Sequence, residues 1–266
     1  MTRLPAMFLS HGGGPWPYLT GPLRDEFNLL EASLKALLPN LPVQPKAILV
    51  VTAHWETHSF MLSSSRKPPM IYDYGGFPEH TYHVTYNAPG SPELAERACK
   101  LITTAGMDCG LDRERGFDHG TFSLMEIVRP QADIPVVQLS IRQDFDPQAH
   151  IAAGRALAPL RDEGILIVGS GLSYHNLQKF GPDGADASRD FDLWLKQTLM
   201  TMSGAQRNKQ ICQWEAAPAA RLAHPSEDHL LPLFVALGSA EADPCAINYS
   251  QSDFMGHLTV SSFRFG

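Results

Sequence analysis

Three largely apolar runs constrain this chain more than any other feature: residues 47–52 (AILVVT), 134–141 (IPVVQLSI) and 164–168 (GILIV). The run at 47–52 is continuous and β-branched, as in a strand buried on both faces, and the other two also read as buried strands. A shorter run at 5–9 and the segments 60–64, 245–249 and 257–265 read as further strands. Helical spacing of apolar residues marks 23–38, 93–105, 120–128, 147–161 and 188–202 between them. This alternation predicts an α/β fold: a three-layer sandwich around a largely parallel, mixed central sheet, with helices on both faces. The last two strands add antiparallel pairing near the C-terminus. No repeat, low-complexity segment or linker interrupts the pattern, so 1–266 reads as one domain.

Composition narrows the function classes. There are 28 acidic against 21 basic residues, a net charge of −7, and no basic run. Nucleic-acid binding needs clustered Lys and Arg, so it is not expected. No stretch approaches the roughly 20 apolar residues of a membrane span. The opening MTRLPAMFLS is too short and too interrupted by Pro5 to read as a signal peptide. Cys99, Cys109, Cys212 and Cys245 form no CxxC pair and read as reduced structural thiols, which suits a cytoplasmic protein.

The 11 histidines are the unusual number, more than half the count of Lys and Arg together (21). In open α/β sheets ligands bind outside the carboxyl ends of the strands. Three apolar runs end close to a histidine: His11 after 5–9, His54 after 47–52, and His175 after the Gly169-Ser170-Gly171 turn. Adjacent parallel strands would gather these imidazoles at one rim as a metal site, with His11 and His54 the surest ligands. In His224-Pro225-Ser226-Glu227-Asp228-His229, Ser226 and two acids suit the start of a helix, whose first turn would aim His229 at the same rim. Glu227 and Asp228 are either ligands, partners of an imidazole N–H, or charges that complement the helix dipole. His224 could equally begin that helix. His119, in Asp118-His119-Gly120, either donates to a substrate oxygen or caps a helix. His58, His80, His83, His150 and His257 read as surface or structural.

Residues 68–92 form a long segment rich in Pro, Gly, Tyr and Phe with no secondary-structure period. Such a segment in a compact domain is typically functional, here a lid or substrate wall. Tyr72, Tyr74 and Phe77 could pack on a planar ligand or anchor the loop.

Several motifs now stand in order: Ser-His-Gly at 10–12, Ala-His-Trp at 53–55, Tyr-Asp-Tyr-Gly-Gly-Phe-Pro at 72–78 and Phe-Asp-His-Gly at 117–120. Gly-Ser-Gly…His-Asn-Leu at 169–177 and His-Pro-Ser-Glu-Asp-His…Pro-Leu at 224–233 follow. In this combination the chain resembles the class III extradiol ring-cleavage dioxygenases of the LigB superfamily, and most the branch that includes DOPA 4,5-dioxygenase. The likeness runs from His11 to the C-terminus. It implies that His11, His54 and His229 hold one divalent metal, and that His175 is the acid–base catalyst, counted in some relatives at the metal too. It also implies that His119 lies near substrate, beside the Tyr72 and Phe77 wall. The substrates implied are a catechol and O2, and the product a muconic semialdehyde; the sequence leaves a monomer and a homodimer both open.

One departure concerns the metal. Protocatechuate-type relatives complete the triad with a glutamate, the two-His-one-carboxylate pattern of non-haem Fe(II) oxygenases. Three imidazoles suit Zn²⁺ as well as Fe(II). A zinc hydrolase and a non-catalytic metal-binding protein are therefore rival readings of the same residues. A serine esterase is not: His11-Gly12-Gly13-Gly14 looks like an oxyanion hole, but no serine sits in G-x-S-x-G, since Val168 stands before Gly169-Ser170.

Overall fold

The computed structural model describes residues 2–266. Eight strands form one sheet: β1 (Ala6–Ser10), β2 (Ala47–Thr57), β3 (Phe60–Ser63), β4 (Cys109–Asp112), β5 (Val136–Arg142), β6 (Ile165–Gly171), β7 (Cys245–Phe254) and β8 (Leu258–Phe265). Their order is β4-β3-β5-β2-β6-β1-β8-β7. The four central strands β5, β2, β6 and β1 run parallel. These are the apolar runs, and Ile48, Leu49, Val50 and Val51 are fully buried because both faces of the sheet are covered. Burial of each such side chain contributes about 1.5–3 kcal/mol. β3 is antiparallel to β5, and β8 and β7 add antiparallel pairing at the other edge.

Successive residues of β6 meet different helices, as a pleated strand between two layers requires. Gly169 faces the Leu231–Gly238 helix, because a Cβ there would sit 2.3 Å from the Pro232 carbonyl oxygen. Ser170 points the other way and donates from Oγ to the Gly120 carbonyl of the His119–Val128 helix. Among the described residues no helix is long and apolar enough to cross a membrane.

Local chemistry explains where the elements differ from the sequence pattern. The 147–161 pattern becomes two helices, Pro147–Leu157 and Pro159–Asp162, because Pro159 has no N–H to continue the first. The helix expected from Ser226 begins only at Leu231, and the residues before it form a turn. β6 runs on through Gly169-Ser170-Gly171, where the two glycines alone suggest a turn. β4, only four residues of mixed polarity, had no readable signal.

Candidate metal centre

The centre sits above the carboxyl end of β6, the strand that separates β2 from β1. His11 follows β1 directly; its N–H donates to the Gly171 carbonyl at 3.2 Å, and its own carbonyl accepts from Trp16 Nε1 at 2.7 Å. His54 lies inside β2, where pairing with β5 shifts register between Val51 and Glu56. Such an irregularity re-aims a side chain. Gly120 leaves room for the His54 ring, since a Cβ there would fall 2.7 Å from its Cδ2. His229 is carried by the turn before the Leu231–Gly238 helix, and its carbonyl accepts from Leu172 N at 3.1 Å. A Cβ on Gly171 would sit 2.1 Å from that carbonyl oxygen, so only glycine lets the turn rest on the end of β6.

Three imidazoles converge there. His11 Nε2 stands 3.3 Å from His54 Nε2, and one nitrogen from each of His11, His54 and His229 lies within 4.8 Å of the others. Their surroundings disfavour the charged form of all three rings. Burial, and then the neighbouring histidines, push His11 and His229 well below the ordinary histidine value. Burial and His119 lower His54 to about 4, against the pull of Asp118 and Asp73. Neutral imidazole is the form that offers a lone pair to a metal.

Carboxylates fix which nitrogen faces inward. Asp73 Oδ2 is 3.4 Å from His54 Nδ1, while its Oδ1 accepts from both the ring Nδ1 and the backbone N of His119 at 2.9 Å. Burial raises the Asp73 pKa, but these bonds outweigh it and leave the carboxyl below its usual value. Asp228 Oδ2 holds His229 Nδ1 and lies 3.8 Å from His175 Nδ1. A ligand histidine whose other nitrogen is held by a carboxylate is the common arrangement at metal sites. With Nδ1 of His229 bonded to Asp228 and Nδ1 of His54 turned towards Asp73, Nε2 is the atom each ring turns to the centre. The 3.3 Å between His11 and His54 is the spacing of two nitrogens each about 2.0–2.1 Å from one ion. The donor set therefore fits a single divalent cation.

Asp118 is the fully buried hub beneath this arrangement. It accepts from Thr52 Oγ1, Gln138 Nε2, Thr121 N and Arg115, and Arg115 also donates to the His54 carbonyl. It thereby ties the irregular part of β2 to the start of the His119–Val128 helix. Neither the role of Asp118 nor that of its partner Arg115 is visible in the sequence, because a buried N-cap carboxylate looks the same there as an exposed one. Nor is that of Asp73, whose neighbours Tyr72 and Tyr74 stand out by their rings.

The remaining candidates fall into place around a cavity of about 650 Å³. His175 lines it, with its ring stacked on His229 at a centroid distance of 3.4 Å; burial lowers its pKa while Asp228 raises it. His119 lines it too, with ring centroid 3.9 Å from that of His54. Phe77 and Tyr74 belong to the wall. Tyr72 stands behind them, donating to the Val84 carbonyl and packing edge-on against Tyr74. His224 is buried with Nε2 3.0 Å from the Ser173 carbonyl, a support for the segment that carries His175. His150 is buried and structural, accepting from Arg142 N, whereas His58, His80, His83 and His257 are at the surface. A concavity of similar size, about 680 Å³ and lined by Met107, Gln148, Arg155 and Cys212 among others, contains none of the histidines. The four cysteines are free thiols.

Comparison with known proteins places the chain in a family. Residues 5–265 match the family model described as the catalytic LigB subunit of aromatic ring-opening dioxygenase. The chain is 38% identical to the 4,5-DOPA dioxygenase extradiol of Portulaca grandiflora, over 98% of this chain and 95% of that one. It is also 38% identical to the protein of that name from Escherichia coli K12, over 100% and 96%. The crystal structure of an uncharacterized Escherichia coli K12 protein superposes with a TM-score of 0.81 at 34% identity, covering 99% of this chain and all of that one. With family, relatives and fold in agreement, the chain belongs to the LigB family and is a ring-cleavage dioxygenase.

Proposed function

We propose that the protein opens the ring of a catechol beside its two hydroxyls, adding both atoms of O2 to give a muconic semialdehyde. His11, His54 and His229 would hold one divalent ion, Fe(II) for this reaction. The observation that carries the reading is the trio of neutral, converging imidazoles at the floor of an aromatic-walled cavity, two of them braced by carboxylates. Such an ion supplies an electron path between an electron-rich ring and O2, which closed-shell side chains cannot provide.

His175 is the proton carrier. Its ring lines the cavity, is neutral at working pH, and has Asp228 near Nδ1 to stabilise the imidazolium. It accepts a catechol proton as the substrate binds and returns one as the ring opens. His119 has its Nδ1 committed to Asp73, so Nε2 is the atom it offers to a substrate oxygen. Phe77 and Tyr74 restrict water at the reacting ring.

Two substitutions test the division of labour. His54→Ala is expected to lose bound metal. His175→Ala is expected to keep it and lose turnover of a catechol by about 10²–10⁴-fold. Full metal content in the first variant, or near-normal rates in the second, would count against the assignment.

A further inference from the structure

Away from the histidines and Asp73, the cavity lining is apolar: Leu19, Leu23, Phe27, Leu177, Phe180 and Met255. Among the described residues that line it there is no Lys or Arg. Asp73, its one carboxylate, is already engaged by His119 and His54, and the Tyr74 hydroxyl is committed to the Thr81 carbonyl. Leu23 and Leu177 are 50% and 71% exposed, so the apolar wall continues out to the mouth. Singly exposed leucines are ordinary, but two bordering one cavity form a surface that an apolar ligand would cover.

Met255 adds an independent sign. It occupies the turn between β7 and β8 with φ at +51°, ahead of Gly256 at +78°, and Gly256 N closes the turn on the Asp253 carbonyl. Gly or Asn takes that conformation with less strain than a long side chain. The methionine there brings a flexible thioether to the cavity, a group that adapts to varied apolar shapes.

Resting on the dioxygenase reading above, we propose that the ring substituent of the catechol is uncharged and apolar, an alkyl or aryl group, and not a charged amino-acid side chain. A carboxylate or ammonium group placed against this wall would lose water and find no opposite charge. An alkyl substituent gains from each methylene it buries, about fourfold in binding per methylene.

The test compares matched catechols on the metal-loaded full chain. One series carries methyl, propyl and phenyl substituents; the other is dihydroxyphenylpropionate, dihydroxyphenylethylamine and dihydroxyphenylalanine. The expected result is kcat/KM that rises along the alkyl series and exceeds the charged counterparts by about tenfold or more. Equal or better rates with the carboxylate-bearing rings would overturn the proposal and assign their recognition to the backbone amides of Gly12–Gly14. Opening of neither series would overturn the dioxygenase reading itself, and the substituent proposal with it. Leu177→Arg gives a second readout at an exposed position. By calorimetric titration it should shift relative affinity towards dihydroxyphenylpropionate, against propylcatechol, by up to about fivefold. An unchanged ratio would overturn the placement of the substituent at this wall.

Discussion

Asp73 braces the centre at two points, because its two oxygens serve two different rings. Oδ2 faces His54 Nδ1, and Oδ1 binds His119 through both ring and backbone. Asp73→Asn keeps the shape but replaces one acceptor oxygen with an amide donor, so one imidazole must turn or change tautomer. Metal affinity should fall by about 10–100-fold, the usual effect of losing such a partner. A competition titration against a chelator measures it, and wild-type affinity would remove Asp73 from the design. The convergence of His11 and His54 was legible in the sequence because each closely follows an apolar run, although His54 lies inside β2, where the register shift re-aims it. Asp73 was not, since it lies in an aperiodic stretch whose place over the rim depends on tertiary packing. Asp228 was recognised only as one of several alternatives; its contact with His229 depends on a turn that the sequence pattern assigned to a helix.

At the scale of elements, the contact between the end of β6 and the 224–230 turn decides where His229 sits. Gly171→Ala would drive a methyl into the His229 carbonyl. The turn must then lift, at about 2–3 kcal/mol of stability, with weaker metal retention. Denaturant titration together with metal analysis checks both effects, and a variant unchanged in both would contradict the close approach. The strands of the central sheet were readable because burial on both faces favours largely apolar runs. β4 was not, because four residues at a sheet edge need only backbone pairing with β3.

Two buried histidines outside the centre link these elements to pH. Burial lowers His150 and His224 to about 4, only partly offset by bonds to the Asp146 and Ser173 carbonyls. The unfolded chain therefore binds more protons between about pH 6.5 and 4. The stability these rings contribute is complete above that window and is lost as pH falls through it. Each should account for roughly 2 kcal/mol between about pH 6.5 and 5. Urea midpoints of the metal-free chain should fall over this range, with a shallower slope in His150→Gln. An identical slope would show that His150 is not held neutral.

For the molecule as a whole, the centre draws on residues from 11 to 229, so it assembles only when β1, β2 and the 224–230 turn have packed together. Parallel strands β1, β2 and β6 bring His11, His54 and His175 to one end, and the β7–β8 turn closes the far side of the cavity with Met255. A ligand that binds only the folded chain stabilises it by about 4 kcal/mol when present at a thousand times its dissociation constant. Chelation should therefore lower the melting temperature of the wild type and leave that of His11→Ala unmoved. A wild type indifferent to chelation would mean that the imidazoles hold no ion.

The most direct measurement of the central claim is oxygen uptake, followed together with absorbance, while the Fe(II)-loaded chain consumes a catechol. One O2 should disappear for each ring opened, with a yellow semialdehyde accumulating, and neither should occur with His11→Ala. A folded, metal-loaded protein that hydrolyses esters or amides and takes up no oxygen with any catechol would contradict the account.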